Sequence, residues 1–502
     1  MSYDASKWAS ASVIAGPKGR VYAQPQEPSQ LVEAIPNKVK GVDTFPMWEV
    51  SPGVYGVDTL KQRQGQPVVS IWGAAAGQVI RIVAAERRND DGLPATTNNR
   101  QDGAFALPGG MSQQYYISNG TGTAERPEVF APTSNVQGFQ WVQIAGPAGE
   151  ALPPSVRVHV DAVWEMRTNM PQTGTFTSSN SLLNKIHEGT RVGVAVNHTV
   201  GQITDTPTYE RDGWTGDSQL MAPSASYLFD TQRQYIKSAQ DAVDSQVIGN
   251  TYVVTPDVPK PRALGGVGLL IPSAYGYGYC MPVANDPYGC TGFGKGANNG
   301  ATPIWDAFLH VLPYEAYRFY GDTKPAATAY AAMSQYLKSY IPYWMGAYTA
   351  NIDSTKRYLV SSGLGDWAAP RGNPGSAVVP LGGVSDDEQA VRDNTNFSVA
   401  TIGVPSGSAY LAYMVKVTAA LAAALGNTAD EAYYKTMFEN VKKDYNAKWW
   451  DASVGYYREN ASQPFLQSMQ AIPLGMGLVD EAKPHPARNQ ARPGRAGDPQ
   501  RP

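Results

Sequence analysis

The sequence predicts two domains of different class, a β-sandwich followed by a domain of antiparallel helices. Three observations carry that expectation. Up to about residue 170, short runs of β-branched and aromatic residues are separated by Gly, Pro and Asn clusters. Near Gly174 the apolar period changes from 2 to 3.6. A chain of 502 residues also exceeds what one ordinary core organises. The boundaries implied are 1–172 for sandwich and linker, 173–480 for the helices and 481–502 for a disordered tail rich in Pro and Arg.

The strands come first. Residues 68–72, 78–83 and 139–144 are short β-type runs, and 156–160 alternates cleanly. Turn signals at Gly92, Pro108-Gly109, 119–122 and 146–149 bound them, the pattern of a sandwich. The helices follow. Ser178, Ser179 and Asn180 offer N-caps to a stripe of Leu182, Leu183 and Ile186. Residues 218–247 hold two helical stretches broken at Asp230-Thr231, and 248–302 read as a long irregular insertion. Trp305, Phe308, Leu309, Leu312, Ala316 and Phe319 share a face, with a kink expected at Pro313. Thr323 and Pro325 open a helix with the stripe Tyr330, Met333, Leu337 and Tyr340. Leu411, Met414, Thr418, Leu421 and Leu425 line the next, closed by Gly426. Thr428 and Glu431 form a capping box for a helix carrying Tyr434, Met437, Phe438, Val441 and Tyr445. The last readable element spans 465–479. Periodicity alone allows a toroid, a solenoid or a bundle.

Bulk properties exclude several classes. A net charge of −3 leaves no electrostatic footprint for nucleic acid or an anionic membrane. No apolar run is expected to approach the roughly 20 residues of a membrane span. The first residues lack a signal-peptide layout, which leaves export open. Cys280 and Cys290 are a candidate bridge or two unrelated thiols. The five histidines show no metal-ligand spacing, so no metal site is expected. Asn119 and Asn197 head possible glycosylation triplets.

The chemistry concentrates in Thr204-Asp-Thr-Pro-Thr-Tyr-Glu-Arg-Asp-Gly-Trp-Thr-Gly-Asp217. Asp205, Glu210 and Asp217 stand there with Asp212, Arg211 and Trp214. Gly213 and Gly216 argue for a tight loop that enters a helix near Ser218. Several carboxylates beside an indole suit glycoside chemistry, in which one carboxyl protonates the leaving oxygen and another activates water. A solvated acidic loop with one buried Trp is the plainer alternative.

This stretch resembles the signature of the α-L-rhamnosidases of glycoside hydrolase family 78: Asp-Cys-Pro, then Glu-Arg, then Trp-Thr-Gly-Asp. Thr206 stands where Cys is common, and the Asp205-to-Glu210 interval is one residue shorter than in some members. The patterns at 53–58, 128–132 and 138–143 also resemble that family. The resemblance implies a sandwich leading into an (α/α)6 toroid and inverting hydrolysis of terminal α-L-rhamnosides. It implies Glu210 as general acid, its pKa raised by low polarity and by the neighbouring aspartates. It makes Asp205 and Asp217 acceptors for ring hydroxyls, and Trp214 a ring-facing aromatic. Arg211 would donate to a hydroxyl, hold an aspartate, or only balance charge. Trp305 in Trp-Asp-Ala, and Asp366 and Trp367 in Gly-Asp-Trp, resemble the blocks that wall the sugar. Trp residues there contact its C5 methyl. Core packing for the two indoles, and an N-cap role for Asp366, are the alternatives.

The family's general base and a late His are expected to be missing, because the readable pattern ends at Val479. The toroid is therefore expected to be truncated before its last helices. Asp386-Asp387-Glu388 is a substitute base or, more simply, a solvated helix start. No organic cofactor is implied; a structural calcium stays open, although no ligand loop stands out. The rivals are another toroid glycosidase, a rhamnoside-binding remnant without turnover, and an unstable fragment.

Overall fold

The structure, a computed structural model, describes residues 29–39, 41–86, 113–133, 136–199, 202–207, 211–246, 265–271, 303–342, 358–360, 403–463 and 465–480, besides isolated positions near the N-terminus. The N-terminal part is antiparallel. Its strands are β1 (Ser29–Pro36), β2 (Lys38–Val39), β3 (Val42–Asp43), β4 (Met47–Ser51), β5 (Val54–Trp72), β6 (Val79–Ala85), β7 (Gln113–Ile117), β8 (Glu128–Phe130), β9 (Gln137–Ala145) and β10 (Arg157–Thr168). The main sheet runs β1-β10-β5-β9-β6-β7, with β4 and β8 also paired to β5.

β5 is the pivot. Its first residues pair with β4 and β9, and Gly65 to Trp72 pair with β10. The register breaks between Asp58 and Arg63, where Leu60 takes φ 69° and its amide donates to Asp58 Oδ1 at 2.7 Å. Gly65 lies where a Cβ would stand 1.8 Å from the Trp164 carbonyl oxygen, so only glycine lets β10 close on β5 there. Strands paired on either side of this break share one core of Val57, Val69, Ile71, Ile82, Phe139, Ile144 and Val160. That is the expected sandwich, built from one continuous sheet.

Glu128 ties the loop 118–122 to this sheet. Its carboxylate accepts from the backbone N–H of Asn119, Thr121 and Gly122, and from Tyr116 and Ser118 hydroxyls, at 2.8–3.2 Å. Partial burial works to raise its pKa, but these donors outweigh it and hold the carboxyl at about 2. The folded value lies below the unfolded one of about 4.3. The stabilisation is therefore complete above that pH and fades as pH falls toward 2. Glu128→Gln is expected to cost about 2 kcal/mol at pH 7, the value of hydrogen bonds to a charged acceptor. The gap should narrow as pH falls toward 2. Thermal melts followed by circular dichroism check this; a gap that is constant with pH would contradict it.

The helical part contains α1 (Ser181–Val196), α2 (Thr215–Leu228), α3 (Gln232–Ser245), α4 (Pro303–Asp306), α5 (Phe308–Tyr320), α6 (Lys324–Gln335, continued by a π-helical turn Tyr336–Tyr340), α7 (Gly403–Ala424), α8 (Thr428–Trp449) and α9 (Gln467–Met476). One row packs in the sequence α2, α5, α7, α9; α1, α3, α6 and α8 back it from outside. These are the paired inner and outer rows of an α/α toroid. The shared core includes Phe308, Leu312, Met333, Leu337, Leu411, Met414, Tyr434 and Val441. Three-residue turns at 229–231, 321–323 and 425–427 join helices at one end. α2, α4, α7 and α9 begin at the other.

Several local expectations need correction. α2 begins at Thr215, three residues before Ser218. The interruption near residue 305 falls at Ala307, between α4 and α5, and α5 runs through Pro313. Asn427, not Thr428, caps α8, its side chain accepting from Asp430 N at 3.2 Å. α7 is long and apolar enough by length and composition to cross a membrane, contrary to the expectation that no run approaches that length. It is apolar on all sides because it is wedged among α5, α8 and α9, with 72% of its apolar window buried. Leu182, Leu183 and Ile186 do form a stripe, capped by Asn180, but they are 61%, 46% and 56% exposed. Asn197 caps α1 and donates to Gly193 O, and Thr199 is buried, so that triplet is built into the fold. Cys280, Cys290, Asp386, Asp387, Glu388 and the tail 481–502 lie outside the described residues.

Candidate active site

The acidic stretch closes on itself. Asp205 N donates to Asp212 O at 3.2 Å, and Asp212 N donates to Asp205 Oδ1 at 3.0 Å. These two bonds tie residues 205 and 212 together; Glu210, between them in the sequence, lies outside the described residues together with 208 and 209. Asp205 thus commits one oxygen to loop closure. Arg211 adopts φ 51°, and its Nη1 donates to the Val136 carbonyl of the sandwich, just ahead of β9. It does not hold an aspartate in any hydrogen bond described, and burial lowers its guanidinium pKa.

Beyond Asp212 the chain is strapped before it becomes helix. Trp214 forms an isolated antiparallel bridge with Leu270. Ile271 N donates to Gly213 O at 2.9 Å, and the Thr215 amide and hydroxyl both donate to Leu269 O, at 2.8 and 3.0 Å. Trp214 is then the N-cap residue of α2 without a side-chain cap bond, and Asp217 lies in the first turn. A carboxylate there sits well against the positive end of the helix dipole. The strap explains why the helix starts early: Thr215 is fixed from outside, and first-turn amides need no intrahelical partner.

Trp305 closes the group from a distant part of the chain. A Cβ at Gly216 would lie 2.7–2.9 Å from Cε2, Nε1 and Cδ2 of its indole, so the ring rests directly on the motif's backbone. Its own helix is anchored on both sides. Gln219 Nε2 donates to Ile304 O at 3.1 Å, and the Tyr336 hydroxyl donates to Asp306 Oδ2 at 2.6 Å, with Asp306 buried. The structure therefore brings Asp205, Arg211, Trp214, Asp217 and Trp305 to one end of the toroid, where α2 and α4 begin. Asp366 and Trp367 lie outside the described residues; nearby Val360 N donates to Ser408 Oγ of α7 at 3.2 Å.

Two buried histidines are held neutral. His310, in α5, is fully buried with Nδ1 2.8 Å from Thr418 Oγ1, and burial pulls its pKa down to about 3. His198 is likewise buried and brought to about 4. Both are neutral at physiological pH. Among the described residues no group of three or more His, Cys, Asp or Glu could hold a metal ion.

Residues 171–493 match the model of the bacterial alpha-L-rhamnosidase 6 hairpin glycosidase domain. The chain belongs to this family. Residues 48–162 match the bacterial alpha-L-rhamnosidase concanavalin-like domain, which covers most of the sandwich. An alpha-L-rhamnosidase of Streptomyces avermitilis is 26% identical over 459 residues, 91% of this chain and 35% of that protein. One of Formosa agariphila is 23% identical over 371 residues, 74% of this chain and 33% of that protein. The chain thus spans about a third of the length of these curated relatives. The structure of the alpha-L-rhamnosidase from Dictyoglumus thermophilum superposes with a TM-score of 0.67 at 23% identity, over 96% of this chain and 44% of that one. That of the Streptomyces avermitilis alpha-L-rhamnosidase complexed with L-rhamnose gives 0.63 at 23%, over 92% and 35%.

The sequence signal missed two parts of this candidate site. Leu269, Leu270 and Ile271, all buried, were hidden in an apparently irregular insertion, though the apolar run itself was the available sign. The Val136 carbonyl has no sequence signal, because any residue type supplies one.

Proposed function

We propose that the chain provides the sugar-binding and proton-donating part of a glycoside hydrolase active site for terminal α-L-rhamnosyl residues, working with inversion. Glu210, between the paired Asp205 and Asp212 in the sequence, donates the proton to the glycosidic oxygen as the bond breaks. Asp205 and Asp217 accept from ring hydroxyls. Trp214 and Trp305, with Asp366 and Trp367 from the Gly-Asp-Trp turn, wall the sugar, and an indole face receives the C5 methyl. We assign no residue to the base that activates water, and the reaction requires no organic cofactor.

One observation carries this proposal. The Trp305 indole rests on Gly216, inside the acidic motif. An aromatic plane beside carboxylates at one helix terminus is a place for a flat-faced polyol, whereas a merely solvated acidic loop has no need of it. The Streptomyces avermitilis relative solved with L-rhamnose supports the choice of sugar. The test is release of nitrophenol from a panel of p-nitrophenyl glycosides. Turnover of the α-L-rhamnoside at least about tenfold above α-glucoside, a gap of 1.4 kcal/mol in transition-state binding, is expected. Preference for another sugar would overturn the proposal.

A further inference from the structure

We propose that the π-helical turn Tyr336–Tyr340 of α6 is one shared support for the two indoles of the sugar site, with Tyr336 and Gln246 as positioning residues. This rests on the sugar site proposed above, which Trp214 and Trp305 wall.

Three lines of contact meet at the turn. The first leads to Trp305. The Tyr336 hydroxyl donates at 2.6 Å to Oδ2 of buried Asp306, the residue next to Trp305. The Tyr336 ring has no room to pivot: it is fully buried, edge to face with His310 at 5.5 Å and against Tyr340 at 5.1 Å. The second line leads to Trp214. Gly265 takes φ 113°, and a Cβ there would lie 3.1 Å from the carbonyl oxygen of Gln335, the residue just before the turn. From Gly265 a wholly buried run reaches Leu269, Leu270 and Ile271. Their backbone holds Trp214 through the bridge at Leu270 and through the bonds to Gly213 and Thr215. The third line joins the other two. Gln246, the C-cap residue of α3, is buried, and its Nε2 donates to Gly265 O and to Ala332 O, each at 2.9 Å. Ala332 O also accepts from the amide of Tyr336.

The turn departs from α-helical geometry where these lines converge: the Ile341 amide donates to Tyr336 O, five residues back. Such turns are uncommon inside helices and recur at functional sites. Here the turn stands behind both aromatic walls, so it sets their separation. A wall displaced by about 1 Å can weaken a fitted site by up to about 10²-fold.

The experiment compares wild type, Tyr336→Phe, Gln246→Leu and the double variant. Amide hydrogen exchange is read by mass spectrometry on peptides spanning 265–271 and 303–308. Each single variant is expected to raise exchange about fivefold in both peptides, because the turn carries the disturbance from one wall to the other. A rise confined to one peptide, or no rise, would overturn the proposal. Calorimetric titration with L-rhamnose gives a second reading. Each single variant should bind about tenfold more weakly, and the double variant well short of about 100-fold, since effects on one shared element do not add. A full 100-fold loss would mark two independent supports and equally contradict it. Val441→Ala, in α8 of the same core, controls for general destabilisation. It should lower the melting temperature while exchange in both peptides and rhamnose affinity stay at wild-type values; if it weakens binding as the single variants do, positioning is not the cause. The exchange reading needs no sugar. Wild type that fails to bind L-rhamnose would therefore remove the sugar site, while exchange still decides whether the turn couples the two walls.

Discussion

Replacing Glu210 by Gln is expected to lower turnover by about 10²- to 10⁴-fold, the range for loss of a general acid. The amide has the shape of the carboxyl but cannot deliver a proton, so sugar affinity should hardly change. The size of the loss should depend on the leaving group. A nitrophenolate departs with little protonation, which puts its loss at the lower end. An alkoxide from an alkyl α-L-rhamnoside needs the proton fully, which puts its loss at the upper end. Kinetics on both substrates separate an acid from a residue that merely shapes the loop, because a shaping role would lower both rates alike. Turnover by Glu210→Gln equal to wild type would remove Glu210 from the mechanism.

Gly216→Ala is expected to have the next largest effect. The new methyl would lie under 3 Å from three atoms of the Trp305 indole. Neither side yields easily. The Gly216 backbone is strapped through Thr215 to Leu269, and Trp305 sits on a helix held by Gln219 and by the Tyr336–Asp306 bond. Overpacking of this kind costs about 1–3 kcal/mol. We expect a lower melting temperature together with about tenfold weaker rhamnose binding, read by calorimetric titration. Trp305→Phe in the Gly216→Ala background makes room again. It should restore melting while binding stays weak, so the two single effects should not add. Wild-type binding by Gly216→Ala would show that the indole does not face the sugar.

These two residues mark how far the chain could be read without coordinates. The change of period near Gly174 announced the change of architecture because each period reflects which faces are buried. The acid motif was legible because its residue types and spacing are local. What escaped depended on distant backbone. Gly216 looked like a helix breaker, yet it opens α2, since its small size serves an indole 89 positions further on. Arg211 left three roles open, donation to a hydroxyl, a hold on an aspartate or charge balance, and its hydrogen bond to a carbonyl 75 residues earlier had no local sign. Leu182, Leu183 and Ile186 showed that a helix would form, but helical periodicity marks an apolar face without saying what covers it.

The toroid's three short turns, at 229–231, 321–323 and 425–427, have a practical use. They lie at the pole opposite the motif, and two contain left-handed glycines, Gly321 and Gly426, at which a Cβ would meet nothing within 4 Å. A dye or affinity handle spliced in beside Gly426 would thus ride on the scaffold far from the sugar. Such a probe could report unfolding of the helical rows while catalysis, and any redesign of specificity at the opposite pole, proceeds undisturbed.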